Sequence, residues 1–298
     1  MITDTRKKLF FVVNPIAGGK SKSKAISIIN SEIDNLKFEI QIEVSKGKEH
    51  LQTLAQDAIK NNFYAIIVVG GDGTVNALAT EIINAKADIL LGIIPVGSGN
   101  GLARHLKISS CYYKGCKIIN NLNFTKIDAI SLNGLIALNV VGLGFEALVA
   151  KKFAASKTKR GLINYVRLTI KLYKNYKPIK INLTLHDNEK ITMHCLSLSI
   201  ANGSQFGNNI FIAPLADIQD GLLDIVIIKK MHFFDTIKLL YQLLTKRINK
   251  SKLVTTMKVK HAYIQTNSNW VHLDGEPVNI IQPLHIKLQA KALKVITP

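Results

Sequence analysis

In the segment Gly70-Gly71-Asp72-Gly73-Thr74 a carboxylate sits among glycines, between an apolar run at residues 65–69 and an amphipathic stretch at 75–83. Glycines there let backbone N–H groups approach a phosphate with no Cβ in the way. A carboxylate in such a loop repels phosphate unless a cation lies between them. Mg²⁺, held through carboxylate, water and phosphate oxygens, is the natural one. The pattern points to a metal–nucleotide complex, with a helix N-cap as the alternative role of Asp72. Two more segments of this kind join an apolar run to a helical pattern: Asn14-Pro15-Ile16-Ala17-Gly18-Gly19 and Gly97-Ser98-Gly99-Asn100-Gly101. In open α/β sheets ligands bind beyond the carboxyl ends of the strands, where helix N-termini offer unpaired N–H groups. Three such loops in one half of the chain make ordinary tight turns an unsatisfactory reading.

Two common phosphate motifs are excluded. A Walker A loop ending in Gly19-Lys20-Ser21 would need glycine where Asn14 stands, and a dinucleotide fingerprint starting at Gly97 would need glycine at Leu102. The eight histidines lack zinc spacing, and Cys111, Cys116 and Cys195 form no Cys-x-x-Cys pair, so they read as reduced thiols. Asp274-Gly275 and Asp220-Gly221 are favoured hairpin-turn dipeptides.

The elements that must position these loops alternate in the first half. Strands are expected at residues 9–13, 38–44, 65–69 and 90–95, with helices at 22–35, 49–61 and 75–83 and near Leu102. Leu51, Leu54, Ala55 and Ala58 share one helical face. This is the pattern of an open α/β domain. After about Asp128 the texture becomes antiparallel and mainly β, with strands at 179–185, 191–200, 222–228, 257–265, 270–273 and 284–289. A turn is expected at His186-Asp187-Asn188, and helices near 146–176 and 232–247. We therefore expect two domains, 1–128 and 129–283.

The 298 residues include 39 Lys or Arg against 20 Asp or Glu, a formal charge of +19 that calls for an anionic partner. Ten of the cations and no acid lie between Lys151 and Lys180, and a second basic region from Lys229 to Lys252 flanks Phe233, Phe234, Ile237, Leu240 and Leu244. Such helices suit reversible docking on an anionic membrane surface, the alternative being a solvated face over core helices. No recognised nucleic-acid motif accompanies the charge, so no nucleic-acid partner is expected. The longest charge-free stretch, 129–145, is interrupted by glycine and polar residues, and no secretory leader is legible. A cytoplasmic protein peripherally associated with membrane is the expectation.

The joint spacing of the motifs resembles the diacylglycerol kinase catalytic-domain superfamily, which includes bacterial lipid kinases and sphingosine and ceramide kinases. The marks are Asn14-Pro15 with Gly18-Gly19, Gly70 to Thr74 followed by Val75-Asn76, and Pro95-Val96-Gly97-Ser98-Gly99-Asn100. Pro214 and Ala216 ahead of Asp220-Gly221-Leu222-Leu223-Asp224, then Leu273-Asp274-Gly275-Glu276, continue them. The resemblance implies a nucleotide-binding α/β domain followed by a β-sandwich-like domain, with residues 284–298 returning to the first. It implies that ATP is contacted by Asn14, Pro15, Gly18, Ser45, Gly70, Gly71, Gly73, Thr74, Gly97, Ser98, Gly99, Asn100 and Glu276. Asp72 and Asp128 would organise Mg²⁺, Asp274 would be the catalytic base, and Asp217, Asp220 and Leu222 would form a structural divalent-cation site. A homodimer is an analogy of the same kind.

Two departures stand out. Gly97 to Gly101 looks more like sphingosine and ceramide kinases, and Gly207-Asn208-Asn209 stands where consecutive glycines are common. The leading expectation is phosphorylation of a lipid hydroxyl, of diacylglycerol or a related alcohol including a sphingoid base. The alternatives are an NAD kinase, or a nucleotide-sensing or nucleic-acid-binding protein without turnover.

Overall fold

The structure, a computed structural model, describes residues 6–19, 22–156, 162–185 and 189–298. The expected turn at 186–188 and the cations Lys157, Lys159 and Arg160 lie outside the described residues. The chain divides into two units, residues 1–127 with 291–298, and residues 128–290.

In the first unit the expected strands form and pair in parallel, and the intervening stretches form helices. These are β1 (Lys7–Val13), α1 (Lys22–Glu32), β2 (Phe38–Val44), α2 (Lys48–Lys60), β3 (Ala65–Gly70), α3 (Asp72–Asn84) and β4 (Leu90–Pro95). Two short helices follow, α4 (Gly101–His105) and α5 (Tyr112–Asn121), before β5 (Phe124–Leu132). Leu51, Leu54, Ala55 and Ala58 are the buried face of α2. The strand order is β2-β1-β3-β4, all parallel, so the chain leaves β1 for one side and returns on the other. The crevice between the ends of β1 and β3 is the topological switch point, where such sheets bind ligands.

The second unit begins with the end of β5, hairpinned to β6 (Leu135–Ala137), and continues through β7 (Val140–Gly144), α6 (Phe145–Ala154) and α7 (Leu162–Tyr173). It adds β8 (Ile179–Leu185), β9 (Lys190–Cys195), β10 (Ser197–Ala201), β11 (Leu223–Ile228), α8 (Phe233–Leu244), β12 (Val254–Val259) and β13 (His261–Thr266). Last come β14 (Trp270–Leu273), β15 (Glu276–Asn279) and β16 (Leu284–Ile296). One antiparallel sheet runs β12-β11-β10-β7-β14-β15, and β16, β13, β8 and β9 pair antiparallel in another. Leu198, Ile200, Ile225 and Ile227 meet Ile181, Leu183, Ile264 and Ile286 in a shared core, the arrangement of a β-sandwich-like domain. The fold is thus α/β followed by antiparallel β. The last residues of β16 lie in the first unit, where Lys294 and Val295 pair in parallel with Leu90 and Leu91.

Two expected strands divide. Residues 191–200 are β9 and β10, broken at Leu196, and residues 257–265 belong to β12 and β13, broken at Lys260. In both cases the chain passes from one sheet of the sandwich to the other, and the apolar alternation slips by one residue, between Cys195 and Leu196 and between Val259 and Ala262. Among the described residues no helix is long and apolar enough to cross a membrane.

Candidate active site

The three glycine-rich loops are tied together at the switch point of the first unit. Asn14, just past β1, donates from Nδ2 to Thr74 Oγ1 at 2.8 Å, and its Oδ1 accepts the Ile16 N–H. Asp72 Oδ2 accepts the Asn100 N–H at 2.7 Å, joining the second loop to the third. Asn100 adopts a left-handed conformation (φ 53°) and donates from Nδ2 to the Gly97 carbonyl. Its Oδ1 is buried without a hydrogen-bond partner.

Glycine is required where the loops touch. A Cβ on Gly97 would stand 2.6 Å from Gly71 Cα and 2.7 Å from Asn100 Oδ1, and one on Gly18 would overlap the Val96 carbonyl oxygen. Gly70 passes so close to the Thr74 side chain that a Cβ would lie 2.8 Å from it. These contacts hold three backbone segments together, which no residue with a side chain could do without pushing the loops apart.

Helix α3 starts at Asp72, with Gly71 as its N-cap and no side-chain capping bond. The alternative role of Asp72 as an N-cap is therefore not realised. Its carboxylate stands on the first turn, where the helix dipole favours negative charge, and bonds another loop. Pro15, Gly73, Ser98 and Gly99 lie in the same loops, and the Gly99 carbonyl accepts from Arg104 Nε at 3.0 Å. Ser45 follows β2 and is buried, its N–H bonded to the Val13 carbonyl beside Asn14.

In the second unit Asp274 and Gly275 are the two central residues of the β14–β15 turn, with φ 51° and 91°. Both values being positive, this is a mirror-image hairpin turn, for which Asp-Gly is suited. Asp274 also does more than turn the chain. Its Oδ2 accepts the Leu138 N–H at 2.8 Å, and its Oδ1 accepts the Asn139 and Val140 N–H groups, both at 2.9 Å. Glu276 is exposed at the start of β15.

A polar cluster that the sequence reading missed lies beside this hairpin. Glu146, on the first turn of α6, accepts from Ser199 Oγ at 2.9 and 3.0 Å and lies 3.9 Å from His272 Nε2. His272 Nδ1 accepts the Gly275 N–H at 3.3 Å. Gly142 leaves room for the pair, since a Cβ there would overlap both His272 Nε2 and Glu146 Oε1. The only local signal was the glycine pair Gly142 and Gly144 ahead of Glu146, because Ser199 and His272 are distant in sequence.

Burial holds the Glu146 carboxyl above the usual glutamate range, opposed by His272 and the Ser199 hydroxyl. A raised carboxyl binds more protons folded than unfolded, so its contribution is full below the ordinary glutamate range and is lost as pH rises through the folded value. Glu146→Gln should remove that loss. In urea titrations, the stability of wild type minus that of the variant should fall between acidic and neutral pH; a difference independent of pH would contradict this.

A family model for the diacylglycerol kinase catalytic domain matches residues 8–132, and one for the YegS C-terminal NAD kinase beta sandwich-like domain matches residues 139–297. The chain belongs to the diacylglycerol kinase catalytic-domain superfamily. A protein of Staphylococcus epidermidis named "Putative lipid kinase" is 26% identical, the alignment covering 94% of this chain and 93% of that one. A similarly named protein of Staphylococcus haemolyticus is also 26% identical over the same shares. Among solved structures, a diacylglycerol kinase from Bacillus anthracis superposes with a TM-score of 0.76 at 20% identity, covering 98% of this chain and 97% of the other.

Other residues that the superfamily resemblance singled out are engaged by the second unit itself. Asp128 is completely buried and accepts the Gly221 N–H at 2.9 Å. Asp217 Oδ1 accepts from Gln219 N–H, and Asp220 Oδ1 accepts from Leu222 N–H, both turn-forming bonds. Asp220 Oδ2 faces Lys258 Nζ at 2.8 Å, and Asp224 shares that ammonium at 3.1 Å. Lys258, exposed on β12, thus lies against both carboxylates. No three His, Cys, Asp or Glu side chains cluster as a metal site among the described residues.

Proposed function

We propose that the protein transfers the γ-phosphoryl group of ATP to a hydroxyl of a lipid, with diacylglycerol or a related alcohol, including a sphingoid base, as acceptor. The observation that carries this reading is the joining of three glycine-rich loops at the switch point, through Asn14 to Thr74 and Asp72 to Asn100. The backbone there is bare of side chains where a triphosphate would lie, and Asn100 Oδ1 is a buried acceptor suited to a metal-bound water or a ribose hydroxyl. One carboxylate together with phosphate oxygens is a normal Mg²⁺ environment, so Asp72 fits that ion. When bound, Mg²⁺ would neutralise charge on the phosphates.

The chain's own residues then have distinct tasks. The loops orient the nucleotide, and Asp274 takes the proton of the acceptor hydroxyl as its oxygen bonds to the γ-phosphorus and the bond to the β-phosphate oxygen breaks. The three N–H groups on Asp274 fix the direction of its carboxylate. Access to a bilayer is supported by exposed apolar residues among cations: Ile237, Tyr241 and Leu244 on α8 beside Lys238, and Ile163 and Ile170 on α7 beside Arg167 and Lys174. Each such cation contributes about 1 kcal/mol near anionic lipid, so docking is reversible and salt-sensitive.

The second reading, an NAD kinase, draws on the type of β-domain matched over residues 139–297. Incubation with ATP and, separately, diacylglycerol, a sphingoid base, a lipid extract and NAD, with products identified by mass, decides between them. A phosphorylated lipid is expected. Phosphorylation of NAD alone, or of nothing, would overturn the proposal.

A further inference from the structure

Strand register assembles the Glu146, Ser199 and His272 cluster. β10 pairs Ser199 with Gly142 of β7, and β14 pairs His272 with the same Gly142, so the three stand in one row across the sheet and face one side. The centre of the row has no side chain, and Glu146 of α6 uses the space. A Cβ on Gly142 would fall 2.2 Å from His272 Nε2 and 2.4 Å from Glu146 Oε1. The His272 side chain keeps 5% of its exposure and that of Glu146 11%. Burying a carboxylate is costly, and titratable groups in such surroundings concentrate at functional sites.

The two ring nitrogens of His272 have different partners. Nδ1 accepts the Gly275 N–H at 3.3 Å. In a two-residue hairpin turn the closing bond joins the flanking residues, here Leu273 and Glu276, and leaves the second central N–H outside it. His272 gives that N–H its acceptor. An accepting nitrogen carries no hydrogen, so the hydrogen of the neutral ring is on Nε2, which faces Glu146 Oε2 at 3.9 Å. A carboxylate on that side favours the Nε2–H form, and Ser199 holds the carboxylate by donating to both of its oxygens.

We propose that Glu146 and His272 are positioning residues for Asp274: Glu146 fixes the tautomer of the ring, and the ring holds the Asp274-Gly275 turn in the form that presents the Asp274 carboxylate. The part played by Asp274 rests on the proposed phosphoryl transfer; the tautomer and the turn do not. Glu146→Gln keeps the shape and changes the donors. Its amide oxygen can keep the Ser199 hydroxyl, which leaves the NH₂ group toward Nε2; the ring hydrogen then moves to Nδ1 and confronts the Gly275 N–H. In His272→Asn the amide oxygen can take the place of Nδ1, and there is no tautomer to set.

Nitrogen NMR of the full chain should show His272 in the Nε2–H form in wild type and in the Nδ1–H form in Glu146→Gln, with faster hydrogen exchange at the Gly275 amide of the variant. At a temperature where melting curves show each variant folded, Glu146→Gln should lower kcat for lipid phosphorylation by about tenfold or more and leave the KM for ATP unchanged, as for a displaced catalytic group. In the His272→Asn background the same substitution should have no further effect on kcat. The same His272 tautomer in wild type and Glu146→Gln, a wild-type ring with its hydrogen on Nδ1, or an equal loss of kcat with and without His272 would overturn the proposal. Wild type that phosphorylates no lipid overturns the proposed function instead, and the ring and exchange measurements then support or overturn the positioning role by themselves.

Discussion

Replacing Asp72 by Ala should lower turnover by about 10³-fold, on the order of 4 kcal/mol of barrier, a size typical for removal of one electrostatic element from a phosphoryl-transfer centre. The same change also deletes the acceptor of the Asn100 N–H, which holds the second and third loops together. Asp72→Asn separates the two effects, because its amide oxygen can still accept that N–H while the charge is gone. We expect Asp72→Asn to melt close to wild type and to be nearly as inactive as Asp72→Ala. If Asp72→Asn keeps wild-type turnover, Asp72 is a loop fastener and its charge has no part in the chemistry. Lipid phosphorylation that persists in Asp72→Ala would contradict the assignment of this loop to catalysis.

Asp274→Asn should lower turnover by about 10² to 10⁴-fold, the range for loss of a general base, while ATP affinity stays within a few-fold. It should also destabilise the fold. The two carboxylate oxygens serve three backbone N–H groups, from Leu138 on one oxygen and from Asn139 and Val140 on the other. An amide has one acceptor oxygen, so at least one N–H is left facing an NH₂ group, at a cost of about 1 to 3 kcal/mol. The backbone is not the problem, since Asn tolerates the positive φ at this position. Circular dichroism of the variant should therefore show a native spectrum with a lowered melting temperature. Turnover that falls only in proportion to the unfolded fraction would leave Asp274 as a turn residue alone.

Much of the first unit was legible because β3 and β4 are buried along their length, and such strands read as unbroken apolar runs, while the edge strand β2 reads through its alternation. The start of α3 was misplaced at Val75, since Gly73 and Thr74 are poor helix formers; the structure carries the helix back to Asp72. The loops were recognised from their glycines, but not the bonds between them, because Asn14 and Thr74 are 60 residues apart. In the second unit the fused strands at Leu196 and Lys260 share one cause: a one-residue slip in the alternation, Cys195-Leu196 and Lys260-His261, was the mark of the break, and each half alone still reads as a strand. The Glu146, Ser199 and His272 cluster was marked in the sequence by no more than Gly142 and Gly144 ahead of Glu146. It exists because β7, β10 and β14 are neighbours in one sheet.

The passage of β16 from the second unit into the first has a consequence for the order in which the chain can fold. Lys294 bonds the Asp88 carboxylate across 206 residues, and its neighbour Val295 pairs with Leu91 of β4. On the ribosome the first unit emerges with β4 unmatched on one side, and it waits for nearly the whole remaining polypeptide before that side is closed. An unmatched strand of buried aliphatic residues is a template for pairing with another chain. The nascent first unit therefore has a window of vulnerability set by translation time, which ends only when the final strand arrives.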